Sequence, residues 1–198
     1  MSLLFESIKI EDGKWHNLFY HEQRMRRSWR MLWGEEFEFD LEESLKHLPI
    51  PTSGIHKCKI IYDEKIREIE WAEYKIKPIQ TLKLVEHNRI DYSCKFVDRT
   101  LLNNLFEKRE KADDVLIVKQ DRVTDTSYAN IILLKNNKWF TPYQPLLKGT
   151  MRQNLVDRNQ IIEEEISVDD IRSFEKIKLI NAMLGTTGPE IDIRNIID

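Results

Sequence analysis

Apolar and polar residues alternate in some stretches of the chain and follow a helical period in others, and these changes mark out its elements. Ser2–Ile10 reads as a strand with Phe5, Ile8 and Ile10 as its main apolar positions, closed by the turn Glu11-Asp12-Gly13-Lys14. A short return strand over Trp15–Phe19 is expected next. From His21 to Gly34 the spacing becomes helical, with Met25, Trp29, Leu32 and Trp33 on one face. Asp40 and Glu43 stand at capping-box spacing before a short helix, Leu41–Leu48, which Pro49 and Pro51 stop. His56–Tyr62 and Ile66–Trp71 form two strands around Asp63-Glu64-Lys65. Cys58, Ile60 and Tyr62 share one face of the first strand. Ile69 and Trp71 share a face of the second, with Ile66 on the other. Tyr74–Pro78 is extended, and Thr81–Val85 is a further strand.

The polar interval Glu86–Tyr92 carries the crossing into the second half. Asp98 is placed to cap a helix whose face is Leu101, Leu102, Leu105 and Phe106. Strands follow at Val115–Val118, Val123–Ser127, Tyr128–Leu134 and Trp139–Pro142, with a hairpin turn at Asn136-Asn137-Lys138. Gly149 precedes a helix over Met151–Asp157, Ile161–Ile166 is extended, and Ser167 with Asp170 makes a second box-like cap. Ile177–Ile180 is the last expected strand, before a loop that carries Gly185, Thr186, Thr187 and Gly188. This succession is not a βαβ series. It predicts an α+β fold of two domains, residues 1–87 and 88–198.

Composition narrows the function. The 198 residues are enough for one substantial core or two small ones, and five Trp, six Tyr and eight Phe argue against disorder. The net charge of -3 offers no general attraction to nucleic acid or anionic membrane. Arg24, Arg26, Arg27 and Arg30 crowd one helix, either as a solvated basic face or as an anion site. The acidic residues Glu35, Glu36, Glu38, Asp40, Glu42 and Glu43 follow at once and would repel a phosphodiester track. No apolar stretch approaches the length of a membrane span, and the N-terminus carries no secretion pattern. Cys58 and Cys94 are too few and too separated for a metal knuckle or a disulfide scaffold, and the five histidines show no metal-ligand spacing. A cytoplasmic location is expected.

The chemistry gathers at element ends. Lys95 follows a strand and precedes an amphipathic helix. A lysine there is either a surface residue or a Schiff-base lysine at the mouth of a cofactor pocket. Gly149 before a helix, and the hydroxyl-bearing loop at 185–188, are places where backbone N–H groups meet an anion, or are simply turns.

Five segments in order carry a resemblance: Phe5-Glu6-Ser7-Ile8, His21–Met25, Lys95 with Arg99, Val123–Ile131, and Thr141-Pro142 followed by Lys148–Arg152. Together with Ile180–Gly185 they resemble the class IV aminotransferases, pyridoxal-phosphate enzymes with their own α+β fold. That family includes branched-chain and D-amino-acid aminotransferases and the aminodeoxychorismate lyases. The resemblance implies that Lys95 carries the cofactor and that Asp125 faces its pyridine nitrogen. It further implies that Arg24 holds the phosphate, helped by Gly149, Thr150 and Met151 and by Thr186 or Thr187. Two departures stand out: the family usually has Glu where this chain has Asp125, and a hydroxyl where it has Met151. The short chain is expected to trim the substrate pocket rather than the cofactor site. The closing Asn181-Ala182 segment favours the lyase branch, which converts 4-amino-4-deoxychorismate to 4-aminobenzoate and pyruvate in folate biosynthesis. Arg99 and Arg152 are the candidate contacts to the carboxylates of that amino substrate, with Lys57 or Lys59 from the small domain as alternatives. A D- or branched-chain aminotransferase, or a non-catalytic scaffold on the same fold, is the alternative. The resemblance also implies a homodimer.

Overall fold

The computed structural model describes residues 2–34 and 40–198; Glu35, Glu36 and Glu38 of the acidic run lie outside the described residues. The fold is α+β. The chain divides into two compact units, residues 1–75 with 93–98 and residues 76–92 with 99–198. This differs from a single cut after residue 87. The segment around Lys95 belongs to the first unit, because it pairs with the first strand.

In the first unit, β1 (Leu4–Glu11), β2 (Lys14–Trp15), β3 (Ile55–Tyr62) and β4 (Ile66–Glu73) form an antiparallel sheet in the order β2-β1-β3-β4. The β1–β2 turn places Asp12 and Gly13 at φ 48° and 74°, the left-handed pair that a two-residue hairpin demands. The expected return strand stops at Trp15, because helix α1 (Leu18–Trp33) starts earlier than its apolar period indicates. Gly34 ends it in the left-handed region at φ 73°, its N–H donating to Arg30 O. Met25 and Trp29 of α1 pack on Leu4, Ile8, Ile10, Cys58, Ile60 and Tyr62 of the sheet. Trp33 continues the stripe, its ring 4.7 Å from that of Trp29, whereas Leu32 is exposed. Helix α2 (Leu41–Leu45) begins as expected, with Glu43 N–H donating to the Asp40 side chain at 2.8 Å, but it is only five residues long. Ile66 joins the same core as Ile69 and Trp71, not the opposite face, because a bulge at Ile61/Tyr62 shifts the register by one.

In the second unit, β5 (Leu82–Glu86), β6 (Asp114–Lys119), β7 (Arg122–Thr126), β8 (Asn130–Lys135), β9 (Lys138–Pro142), β10 (Ile162–Glu164), β11 (Lys176–Ile180), β12 (Glu190–Asp192) and β13 (Ile196–Ile197) make one sheet. Its main path runs β10-β9-β8-β7-β6-β5-β13, and β11 pairs with both β8 and β12. Val115–Val118 of β6 are all buried, the unbroken apolar run of a strand covered on both faces. Helix α3 (Thr100–Phe106) begins after Arg99, whose own side chain makes no capping bond. Helix α4 (Thr150–Asp157) packs Leu155 on Ile132, Ile161 and Ile180. Ser167 and Asp170 do form the reciprocal box, each backbone N–H donating to the other side chain at 3.1 Å, but a 3₁₀ turn follows rather than an α-helix. Strand β11 is not the last, since β12 and β13 follow the Gly-Thr-Thr-Gly loop.

Candidate active site

Glu6 sits in β1 with its side chain fully buried. Burial alone would raise its pKa, but the guanidinium of Arg24 and the imidazole of His21 outweigh that and hold the carboxyl down at about 2. Arg24 binds it with both arms of its fork: Nε donates to Oε1 at 2.9 Å and Nη2 to Oε2. His21 Nδ1 lies 2.6 Å from Oε2. An ionised carboxylate only accepts, so Nδ1 carries the hydrogen. Burial lowers the pKa of His21 further than Glu6 raises it, and the charges of Arg24 and Lys95 add to the lowering. His21 is therefore a neutral donor at physiological pH.

The four arginines of α1 thus have different fates. Arg24 is buried on Glu6, Arg26 pairs with Glu22 one turn away at 2.9 Å, and Arg30 is exposed. Arg27 is half-buried, and its pKa is lowered by burial and then by the charge of Arg24.

Lys95 is held by its backbone. Phe5 N–H donates to Lys95 O at 2.9 Å, Val97 N–H donates to Leu3 O at 2.9 Å, and Phe96 bridges to Leu4. The segment adds a short strand to β1. The Lys95 ammonium lies 4.5 Å from the centre of the Phe5 ring. The first unit thus holds Lys95, Arg24 and Arg27 within electrostatic reach of Glu6 or His21. Guanidinium groups suit an anion, and an unprotonated lysine amine attacks a carbonyl.

In the second unit the predicted residues divide. Asp125, near the end of β7, is buried, and its carboxyl is pushed up to about 6 by that burial. The backbone N–H of Leu147 donates to Oδ2 at 2.9 Å and the Asn130 amide to Oδ1 at 2.8 Å; these bonds and the more distant charge of Arg152 lower the value only in part. A buried carboxylate held mainly by neutral donors suits a cationic partner such as a protonated pyridine nitrogen. Neighbours thus fix both oxygens of the Asp125 carboxylate.

Gly149 is buried beside Asn130, and a Cβ there would overlap the Asn130 side-chain oxygen. Thr150 is the buried first residue of α4, and Met151 is half-buried. Thr186 and Thr187 are exposed, and the Thr187 hydroxyl donates to Leu184 O at 3.0 Å, closing its own turn. Gly188 is required by packing, because a Cβ would overlap Leu179 O.

The two candidate substrate cations also differ. Arg152 is 1 % exposed, and its Nη2 donates to Pro142 O at 2.8 Å and to Glu163 at 2.7 Å. As placed, it ties α4 to β9 and β10 and is not presented to a substrate carboxylate. Arg99 is half-buried and its Nη2 donates to Ser127 O at 2.6 Å; the buried Nε of each of these two arginines has no hydrogen-bond partner among the described residues. Glu6, His21 and Asn130 were not among the predicted site residues. The first two lay inside the motifs that carried the resemblance, and Asn130 shows its role only through the pairing Asp125↔Asn130 between β7 and β8.

The amine, the guanidinium pair and the buried carboxylate match the aldehyde, phosphate and ring nitrogen of pyridoxal phosphate in chemical type. Among the described residues no helix is long and apolar enough to cross a membrane, and no cluster of His, Cys, Asp or Glu could hold a metal ion.

Comparison with known proteins points the same way. Residues 62–188 match the family model described as amino-transferase class IV. A protein of Haemophilus influenzae, of no stated function, is 40% identical over 92% of this chain and 98% of its own length. A Schizosaccharomyces pombe protein named "Putative aminodeoxychorismate lyase" is 28% identical over 91% of this chain and 86% of its own. Among solved structures, a "putative 4-amino-4-deoxychorismate lyase" from Haemophilus somnus superimposes with a TM-score of 0.88 at 40% identity, covering 93% of this chain and 98% of that one. A Mycobacterium tuberculosis protein described as "a hypothetical aminotransferase", in a PLP-bound form, shares the fold at 18% identity, with a TM-score of 0.78 over 98% of this chain and 82% of that one.

Proposed function

The chain belongs to the amino-transferase class IV family, and from that premise we propose that it is a pyridoxal-phosphate-dependent lyase converting 4-amino-4-deoxychorismate to 4-aminobenzoate and pyruvate. The observation that carries the reading is Lys95, fixed by backbone hydrogen bonds in the same unit as the Arg24 guanidinium, in a chain 40% identical to a protein named for this lyase activity.

When bound, the cofactor supplies an electron sink for the pair released at the carbon bearing the substrate amine. Lys95 Nζ would hold the cofactor, and as a free amine it would take the proton from the carbon bearing the substrate amine. It then returns a proton to the methylene carbon of the departing enolpyruvyl group. The proton count closes, since the substrate's atoms are those of 4-aminobenzoate plus pyruvate. Aromatisation of the ring drives the cleavage. Arg24 binds the phosphate, with Glu6 and His21 holding its guanidinium in place. Asp125 keeps the ring nitrogen protonated. Arg99, half-buried where Arg152 is fully buried, is the cation proposed for a substrate carboxylate. The same family resemblance supports a cytoplasmic homodimer acting in folate biosynthesis.

The test is product analysis with purified protein, pyridoxal phosphate and 4-amino-4-deoxychorismate. The reading predicts 4-aminobenzoate and pyruvate in equal amounts with no keto acid added. Turnover of D- or branched-chain amino acids that depends on an added keto acid, with no 4-aminobenzoate formed, would make the protein a transaminase instead.

A further inference from the structure

Asn130 opens β8, an unfavourable position for a buried side-chain amide unless its polar atoms are used. Both of its donors are used. The two hydrogens of Nδ2 go to Asp125 Oδ1 at 2.8 Å and to Leu147 O at 2.8 Å. Leu147 N–H closes the circuit by donating to Asp125 Oδ2 at 2.9 Å. The remaining atom, Oδ1, packs against Gly149, the residue before α4, so closely that no side chain fits there. One amide therefore touches both the carboxylate on β7 and the turn that leads into Thr150.

We propose that Asn130 is a positioning residue that sets the spacing between Asp125 and the Gly149–Thr150 turn, registering the group that meets the cofactor's ring nitrogen against the donors that meet its phosphate. The proposal rests on the pyridoxal-phosphate reading above and extends it to a residue outside the assigned set. No other side chain meets all the demands. Serine lacks the second donor. Aspartate would set a like charge beside Asp125. Leucine fills the space but leaves Asp125 Oδ1 and Leu147 O without their donor. Glycine at 149 is the counterpart, since the turn reaches Asn130 only without a Cβ.

The test is a double-mutant cycle on the full chain, read as the dissociation constant of pyridoxal phosphate by absorbance titration. Asn130→Ala and Gly149→Ala are each expected to weaken binding about 10- to 100-fold, the loss of a hydrogen bond to a charged group or its displacement. In the Asn130→Ala background the atom that a Cβ at 149 would strike is gone, so adding Gly149→Ala should cost less than about threefold. In cofactor-free protein, the Asp125 carboxyl carbon, followed by NMR, should titrate higher in Asn130→Ala than in the wild type, which a purely structural role would not produce. If Asn130→Ala does not fold, Asn130→Ser carries the same cycle with a smaller first step. Losses that multiply, or wild-type binding in a folded Asn130→Ala protein while Asp125→Ala loses it, overturn the proposal and leave the cofactor reading intact. Wild-type binding in Asp125→Ala overturns both.

Discussion

Two buried carboxylates, one in each unit, are driven in opposite directions. Glu6 faces two cationic or hydrogen-donating side chains and is held down at about 2. Asp125 is held mainly by a backbone N–H and a neutral amide and is pushed up to about 6. The first charge is already balanced inside the protein, so Glu6 is an anchor for Arg24 and His21. The second is short of a cation, which is the condition of a group that waits for a ligand. Neither burial nor a raised pKa alone marks a functional carboxylate, since Asp114 is also fully buried and pushed up by burial; Asp125 is set apart by neutral donors that fix both its oxygens.

The contrast is broken most forcefully at Glu6. Glu6→Gln leaves the buried Arg24 guanidinium without its counter-charge, and a loss of roughly 3–5 kcal/mol in denaturant unfolding is expected. The stability that Glu6 contributes is complete above its unfolded pKa and is lost as pH falls from about 4.5 toward about 2. Glu6→Gln should flatten the acid limb of the stability profile over that range.

Asp125 should show the opposite sign. Its folded pKa is raised, so the native state binds the extra proton between about 3.8 and about 6, and the cofactor-free protein loses stability as pH rises through that window. The full effect is up to about 3 kcal/mol. Asp125→Asn should remove this pH slope while weakening pyridoxal phosphate binding. If the slope persists, Asp125 is not the group responsible.

Two substitutions outside the networks serve as controls. Gly188→Ala in the second unit meets Leu179 O and should cost about 1–3 kcal/mol with no effect on either pH window. Asp40→Ala in the first unit removes the cap on Glu43 N–H and should cost about 1 kcal/mol, read as a shift in the unfolding midpoint.

Local pattern made much of this molecule legible. The β1 strand and its Asp-Gly turn, the α1 stripe through Met25 and Trp29, and the paired strands around residues 63–65 follow from periodicity and turn chemistry alone. The departures arose where distant residues decide. Ile66 changed face because of a bulge that no alternation records. Helix α1 starts at Leu18 because Asn17 turns in the left-handed region at φ 56°, a start without a side-chain cap. Residues 93–98 return to β1 through pairing across about ninety positions of sequence, a link that a boundary drawn from polarity does not register. The resemblance named Lys95, Arg24 and Asp125, but Phe5, Glu6 and Leu147, which help to fix them, lie far off in sequence. Arg152, whose charge alone made it a candidate, proves to be a buried tie.

The most direct test of the account is an absorption spectrum of the protein with pyridoxal phosphate, followed by borohydride reduction and peptide mass analysis, on the wild type and on Lys95→Ala. The account predicts a visible band that reduction abolishes, a pyridoxyl group fixed on the peptide containing Lys95, and neither in the variant. A folded wild-type protein with no such band, or a pyridoxyl group fixed on a different lysine, would contradict it.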